Sequence, residues 1–381
     1  MSNDYFKAAD YQPEVLSRLQ QAATIGKLPT SLLFTGKKGV SKWLTAFDLA
    51  KTLTCTESDD NYCGKCASCR QAASFSHPDL LHLFPLPADE KKWPELFYPY
   101  LQQKSSDPFS PGSDDVTSFV TIDAIRAFHT TLARKASLSR CKVGIINEAE
   151  RMLPGTMDAL LKLLEEPPPQ AYLIVVTDQP RFLHQTIISR LRRVPFPEIE
   201  PEVIARHLQG QYELGNRDSE VLSRQCAGSL YQIGEYVEGD FLRLRDFAWK
   251  AFAAALELSP VKLRIKYSER AAFGSREQVE RLLVFWQSFL RDLALLDSVE
   301  QAGDGLSKQL INPDLFEDFK AIASKSRNRK GFDLHGDHLN HCSDKLEQVR
   351  AELRRNIDPR MAAFSFLGFL TAPIVGRVPQ S

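Results

Sequence analysis

A parallel α/β sheet followed by an all-helical C-terminal half is the fold class that this 381-residue sequence predicts. Three observations carry it. The short apolar runs SLLFTG (31–36), CKVGIINEAE (141–150) and AYLIVVTD (171–178) read as buried strands. Segments with helical periodicity stand between them, and strand–helix alternation implies crossover connections and a parallel sheet. From Glu200 onward no strand pattern recurs.

Taken in order, VLSRLQQAATIGKL (15–28) repeats apolar residues at helical spacing, and the 31–36 strand ends at Gly36. KWLTAFDLAKTLTC (42–55) returns to helix and runs into a cysteine-rich segment. Residues 85–118, with PLPADEKKWP and KSSDPFSPGSDD, are rich in Pro, Ser and Asp and predict an inserted loop with little regular structure. TIDAIRAFHTTLARKA (121–136) is helical, as is TMDALLKLLEEPPP (156–169) until its prolines stop it. Lys plus Arg and Asp plus Glu both number 48, so the chain has no net charge to draw nucleic acid or a membrane. A polar N-terminus and the lack of any run of eighteen apolar residues predict a cytoplasmic protein without a membrane span.

Four of seven cysteines, Cys55, Cys63, Cys66 and Cys69, form a C-x7-C-x2-C-x2-C run. Each C-x2-C turn aims two sulfurs at one point, with Gly64 easing the turn, so the spacing predicts a four-thiolate metal site. Zinc is the favoured ion; an iron–sulfur cluster or four reduced thiols are the other readings. Four protein ligands leave no open position, so the site predicts structure rather than catalysis.

The stretch LFTGKKGVSKWLTAF (33–47) is a degenerate phosphate loop. A working G-x4-G-K-[ST] loop brings backbone N–H groups to phosphates, reaches them with Lys, and holds magnesium with a hydroxyl. Gly36, Gly39 and Lys42 are in place, but Ser41 stands where the last Gly belongs and Trp43 where Ser or Thr belongs. An indole cannot ligate magnesium. A second strand, VGIINEAERM (143–152), has Asn147 where a hydrolysing enzyme keeps a magnesium-fixing Asp, while Glu148 stands at the water-activating position. Both losses fall on the magnesium-holding positions.

TGKKGVSKW, the cysteine module, HPD (77–79), TIDAIRAF, KVGIINEAERM, ALLKLLEEPP and TIISRL together resemble the AAA+ clamp-loader subunits of bacterial DNA polymerase III over about the first 200 residues. The resemblance implies an AAA+ P-loop-type domain over 1–199, with a zinc module at 55–69 and the inserted loop at 85–118. A helical lid at 200–240 and a helical collar for oligomerisation at 241–381 would follow. The altered loop matches the branch of the family that does not hydrolyse ATP. The family's Ser-Arg-Cys motif corresponds to Ser189, Arg190 and Leu191, which makes Arg190 an arginine finger offered in trans to a neighbour's ATP; a surface Arg in the run Arg190, Arg192, Arg193 is the plainer reading. The own-site sensor Arg is replaced by Gln232. Implied partners are gamma/tau and delta subunits, with the sliding clamp and primed DNA reached through the complex. An active gamma/tau-type ATPase and a zinc-containing nucleic-acid-binding module are the alternatives. His335, His338, His341 and Cys342 read as polar surface positions rather than a metal site, and Lys325–Lys330 (KSRNRK) as a solvated loop rather than a phosphate-backbone contact.

Overall fold

A computed structural model describes residues 6–87, 89, 92–110, 118–231, 233–238, 241–257, 260–267, 273, 275–298, 309–327, 336–355 and 357–370. The first unit begins with α1 (Pro13–Thr24), then β1 (Ser31–Thr35), α2 (Lys42–Thr54), α3 (Ala67–Ala73), β2 (Leu80–Leu83), α4 (Trp93–Ser106), α5 (Ile122–Leu132), β3 (Lys142–Ile146), α6 (Pro154–Glu165), β4 (Ala171–Thr177), α7 (Gln185–Ile188) and β5 (Arg192–Pro195). Helices follow: α8 (Pro201–Tyr212), α9 (Asn216–Gln225), α10 (Ile233–Glu238), α11 (Phe241–Glu257), α12 (Pro260–Tyr267), α13 (Arg276–Ser298), α14 (Phe316–Arg327), α15 (Gly336–Arg354) and α16 (Pro359–Leu370). The chain divides into one compact unit of residues 1–204 and 227–234 and a second of 205–226 and 235–381, so it passes between them three times: within α8, after α9 and within α10. No helix among the described residues is long and apolar enough to cross a membrane.

The sheet order is β2-β3-β4-β1-β5, and every pairing is parallel. The three predicted strands are its centre. β1 carries the buried run Leu32, Leu33, Phe34, and β3 is buried throughout, as strands covered on both faces must be. Each such side chain contributes about 1.5–3 kcal/mol by leaving water. The two edge strands have no comparable apolar run. β5 is mostly exposed and is recruited by its ladder to β1, with Leu32 opposite Arg192 and Phe34 opposite Val194.

The inserted segment departs from the expectation of an irregular loop, because α4 occupies Trp93–Ser106. Pro94 falls in the first turn, where a missing N–H costs nothing, and Trp93 Nε1 donates to Pro87 O at 2.9 Å. Tyr100 and Leu101 are buried, and Tyr100 stacks on Phe84 with centroids 3.7 Å apart. Tertiary packing of an aromatic face thus holds a helix despite the internal Pro99.

The HPD segment ties the cysteine module to the sheet. The amide of Asp79 donates to His77 Nδ1 at 3.0 Å, so Nε2 carries the proton toward Ser68 Oγ at 2.8 Å, and that hydroxyl donates to Thr54 O. Burial pushes the His77 imidazole below its ordinary value. Burial alone would raise the Asp79 carboxyl, but amides of Leu138, Ser137 and Ser139 outweigh it and hold the group well below the usual carboxylate range.

The second unit has an aromatic core that includes Phe252, Trp286, Phe289 and Phe319, with Trp286 Nε1 satisfied by Ala248 O at 3.0 Å. Asn312, fully buried, takes Arg245 on its carbonyl and gives its amide to Asp292 and Ser288. Against the expectation of surface histidines, His338 is buried: it stacks on Phe369 and lies 3.6 Å from the Cys342 sulfur, one helical turn on. His341 is exposed, and His335 lies outside the described residues. Against the reading of Lys325–Lys330 as a loop, Lys325–Arg327 are the last residues of α14; residues 328–330 and Gln232 fall outside the described residues.

Candidate functional site

Ligands of parallel α/β sheets bind beyond the carboxyl ends of the strands. At that edge the order β3-β4-β1 places Asn147, Asp178 and the loop 36–41 side by side. Gly39 sits at φ +73°, and a Cβ there would come within 2.2 Å of the Tyr231 nitrogen. Ser41, at the position of the missing glycine, adopts a left-handed φ of 69° and caps α2 with its side-chain oxygen buried and without a hydrogen bond.

Lys42 is only 5% exposed. Its ammonium donates to Gly36 O at 2.8 Å and to Lys37 O, and pairs with Asp178 at 2.6 Å. Burial pushes Lys42 below its ordinary value, and Asp178 works in the opposite direction. All three of its donors are therefore engaged by the protein's own oxygens. Trp43 stacks on Phe47, centroids 5.4 Å apart, beside Phe75 and His82.

Asn147 and Glu148 meet the inserted helix. The Asn147 side-chain amide donates to the Tyr100 hydroxyl at 2.8 Å, and that hydroxyl donates to Glu148 Oε1 at 3.3 Å. The other Glu148 oxygen faces Arg151 at 3.4 Å. Burial, with Glu148 second, raises the Tyr100 phenol well above its ordinary value, so it stays a donor. Lys104, also from α4, is buried and donates to Ser110 O at 2.6 Å. Glu150, two residues beyond Glu148, accepts from Thr177 Oγ1 at 2.7 Å and is raised chiefly by burial, then by Asp178.

The cavity left among Ser41, Lys42, Trp43, Lys104, Asn147 and Asp178 is about 70 Å³. Pockets for drug-sized ligands run to about 300–1,000 Å³. The site thus brings together the predicted Gly36, Gly39, Lys42, Asn147 and Glu148, and adds Asp178, Tyr100 and Lys104, which the sequence reading missed. Asp178 had a signal, an acid directly after a buried strand at the edge where ligands bind. Tyr100 and Lys104 had none, since they belong to the segment read as a loop.

Arg190 is not among the residues around that cavity. It stands exposed just after α7, donating to Thr186 O at 3.1 Å and pairing with Glu165 at 2.9 Å. Leu191, in place of the motif's Cys, is buried in the core with Leu163 and Leu164.

The four cysteines form a separate cluster whose sulfurs all lie within 4.8 Å of one another, a set that could hold a metal ion such as zinc. Cys63 Sγ and Cys69 Sγ are 3.9 Å apart, close to the about 3.8 Å edge of a tetrahedron with Zn–S of about 2.3 Å. Gly64 turns at φ +73°, as the spacing predicts. The amide of Cys66 donates to Cys63 Sγ and that of Cys69 to Cys66 Sγ, each at 3.3 Å, which favours thiolate. Burial opposes the charged form at Cys66, but the Cys69 amide and its neighbours bring that thiol down to about 6.

Comparison with known proteins adds a family. The family described as "DNA polymerase III, delta subunit" matches residues 11–200. The DNA polymerase III subunit delta' of Bacillus subtilis is 29% identical over 328 residues, 83% of this chain and 85% of that one. That of Haemophilus influenzae is 24% identical over 257 residues, 67% and 69% of the two chains. The tau subunit of Bacillus subtilis is 26% identical over 247 residues, covering 62% of this chain and 38% of tau.

Proposed function

This chain belongs to the clamp-loader subunit family of DNA polymerase III, and on that premise we propose that it acts as a ring member of the delta' kind that hydrolyses no ATP itself. The observation that carries this reading is the saturated phosphate loop: Lys42 is bound to Asp178 and to loop carbonyls, over a cavity of about 70 Å³. Phosphoryl transfer needs a magnesium ion to neutralise developing charge. Trp43 offers no oxygen for that ion, and Asn147 offers its amide to Tyr100.

Arg190 is the residue proposed to act on a neighbour. A permanently charged fork at an exposed position is suited to phosphate oxygens, and the pair with Glu165 is weak enough to exchange for a triphosphate. The supporting features are its exposure and the buried Leu191 beneath it, which anchors the turn. Cys55, Cys63, Cys66 and Cys69 would hold one zinc ion, whose contribution is to fix the 55–69 segment. The proposed partners are gamma/tau and delta subunits, and through them the sliding clamp and primed DNA.

Reconstitution tests the reading. The chain mixed with gamma/tau and delta subunits of the same cell is expected to form a stable complex, and Arg190→Ala in it to slow clamp- and DNA-stimulated ATP hydrolysis, fingers in trans being worth on the order of a thousandfold elsewhere. Arg190→Lys should rescue poorly, and Arg192→Ala should behave as wild type. Magnesium-dependent turnover by the isolated chain, abolished by Lys42→Ala, would show an active gamma/tau-type ATPase instead.

A further inference from the structure

The surroundings of Asn147, Glu148 and Lys42 contain a second device. Loss of magnesium ligands alone would leave a loop with Gly36, Gly39 and Lys42 still in place for binding nucleotide without hydrolysing it. The inserted segment adds a steric and polar occupant. Tyr100 places its hydroxyl between the side chains of Asn147 and Glu148, the two positions at which a hydrolysing relative handles magnesium and water. Lys104 brings a buried ammonium to the cavity wall, and Pro108, Phe109 and Ser110 complete that wall. Phe109 is anchored in turn on Tyr11, with ring centroids 4.9 Å apart.

We propose that residues 93–110 are a resident plug of the nucleotide site, with Tyr100 and Lys104 as the specificity residues that exclude nucleotide. This rests on the reading of residues 36–42 as a disabled nucleotide loop, and it goes further: the chain is not merely unable to hydrolyse ATP but closed to it. The polar groups of the old site are satisfied from within. Tyr100 serves Asn147 and Glu148, Asp178 serves Lys42, and Ser110 O serves Lys104. A nucleotide would have to displace α4, breaking the Tyr100–Phe84 stack and leaving Glu148 facing phosphate.

The test is equilibrium binding of fluorescent ADP and ATP derivatives, with magnesium, to the full chain. Wild type is expected to bind with a Kd weaker than about 1 mM. Tyr100→Ala/Lys104→Ala should tighten binding at least about tenfold, and adding Lys42→Ala should abolish the gain, which locates it at the loop. A folded Tyr100→Ala/Lys104→Ala chain with no gain would overturn the plug, since loop chemistry alone would then exclude nucleotide. So would tight binding by wild type. Neither result touches the absence of hydrolysis, which turnover measures separately. If the double alanine variant does not fold, Tyr100→Phe/Lys104→Met keeps the ring stack and the aliphatic stem. That pair should raise amide exchange across residues 36–42 about tenfold, and unchanged exchange overturns the proposal.

Discussion

The phosphate loop and the cysteine cluster are both short turns that aim polar groups at a point, yet they differ in what fills that point. At the loop, every charged group has a partner from the chain: Lys42 has Asp178, Glu148 has Tyr100 and Arg151. At residues 55–69 the four sulfurs face one another, with amide N–H groups, the Thr56 side chain and a Glu57 carboxylate oxygen 3.7 Å from Cys63 Sγ around them. On the proposed reading this is the difference expected between a retired site, which answers its ligand's counter-charges internally, and a working one, which leaves them for the ligand.

Removing the proposed zinc ion should have the largest effect. Protein purified without chelator is expected to carry one equivalent of zinc. Extracting it should unfold the 55–69 segment, since comparable structural sites contribute about 10–16 kcal/mol of apparent binding free energy. Metal analysis with exchange of the Cys66 and Cys69 amides measures both; less than about half an equivalent of bound zinc, or a segment unmoved by chelation, breaks the comparison.

Removing an internal partner comes next. Lys42→Met strands the Asp178 carboxylate, which is 16% exposed, and should destabilise the first unit by about 3 kcal/mol. Adding Asp178→Asn should return most of it. Urea unfolding followed through the β1 and β4 amides is the measurement, and additive losses in the two variants would mean that the ion pair is not coupled.

His82 sharpens the comparison, because its ring nitrogens are buried with no hydrogen-bond partner, among Trp43, Phe47 and Phe75. Burial pushes its imidazole down to about 4, against about 6.5 in the unfolded chain. The unfolded state therefore takes the proton first. The contribution is complete above pH 6.5 and declines as pH falls toward 4, at about 1.4 kcal/mol per pH unit. His82→Phe should remove its share of the dependence over that window, leaving what His77 and His207, both also pushed down by burial, contribute; an unchanged pH profile would mean that the ring is solvated.

The smallest effect on stability is expected at Arg190. Its pair with Glu165 is about half exposed, so Glu165→Gln should change unfolding free energy by less than about 1 kcal/mol. In the reconstituted ring the same variant should leave trans ATP hydrolysis intact or faster, because it frees the guanidinium. A loss as large as that of Arg190→Ala would make Glu165, not Arg190, the group that matters.

What was legible in the sequence follows from how local each feature is. β1, β3 and β4 announce themselves because burial on both faces forces an unbroken apolar run. β2, with His82 in its middle, and β5, reading RRVP, are held by ladders to neighbours already formed, and their own side chains carry little of the signal. The cysteine site was complete in the sequence, because all four ligands lie within fifteen consecutive residues. The loop site was half legible. Gly36, Gly39, Lys42, Asn147 and Glu148 keep motif spacing, whereas Tyr100 reaches Asn147 from 47 residues before it with no pattern to specify it, and Asp178, well over a hundred residues after Lys42, was marked only by its place at the end of a buried strand. α4 was lost to its prolines, whose meaning depends on which turn of a helix they occupy.

The clasp over Gly39 has a consequence for the growing chain. Leu230 donates its amide to Gly39 O at 3.0 Å, and Ser229 donates to Lys38 O at 2.7 Å, a partner 191 residues away. At about 5–20 residues per second, a ribosome delivers that partner about 10–40 s after the loop. Through that interval the loop stands open at its Tyr231 side, and its closure belongs among the last steps of the first unit's assembly. A chain ended at Ile204 never receives the clasp, whereas one ended at Glu238 carries it, so the shorter product should be cut by protease within residues 36–41 and the longer one spared.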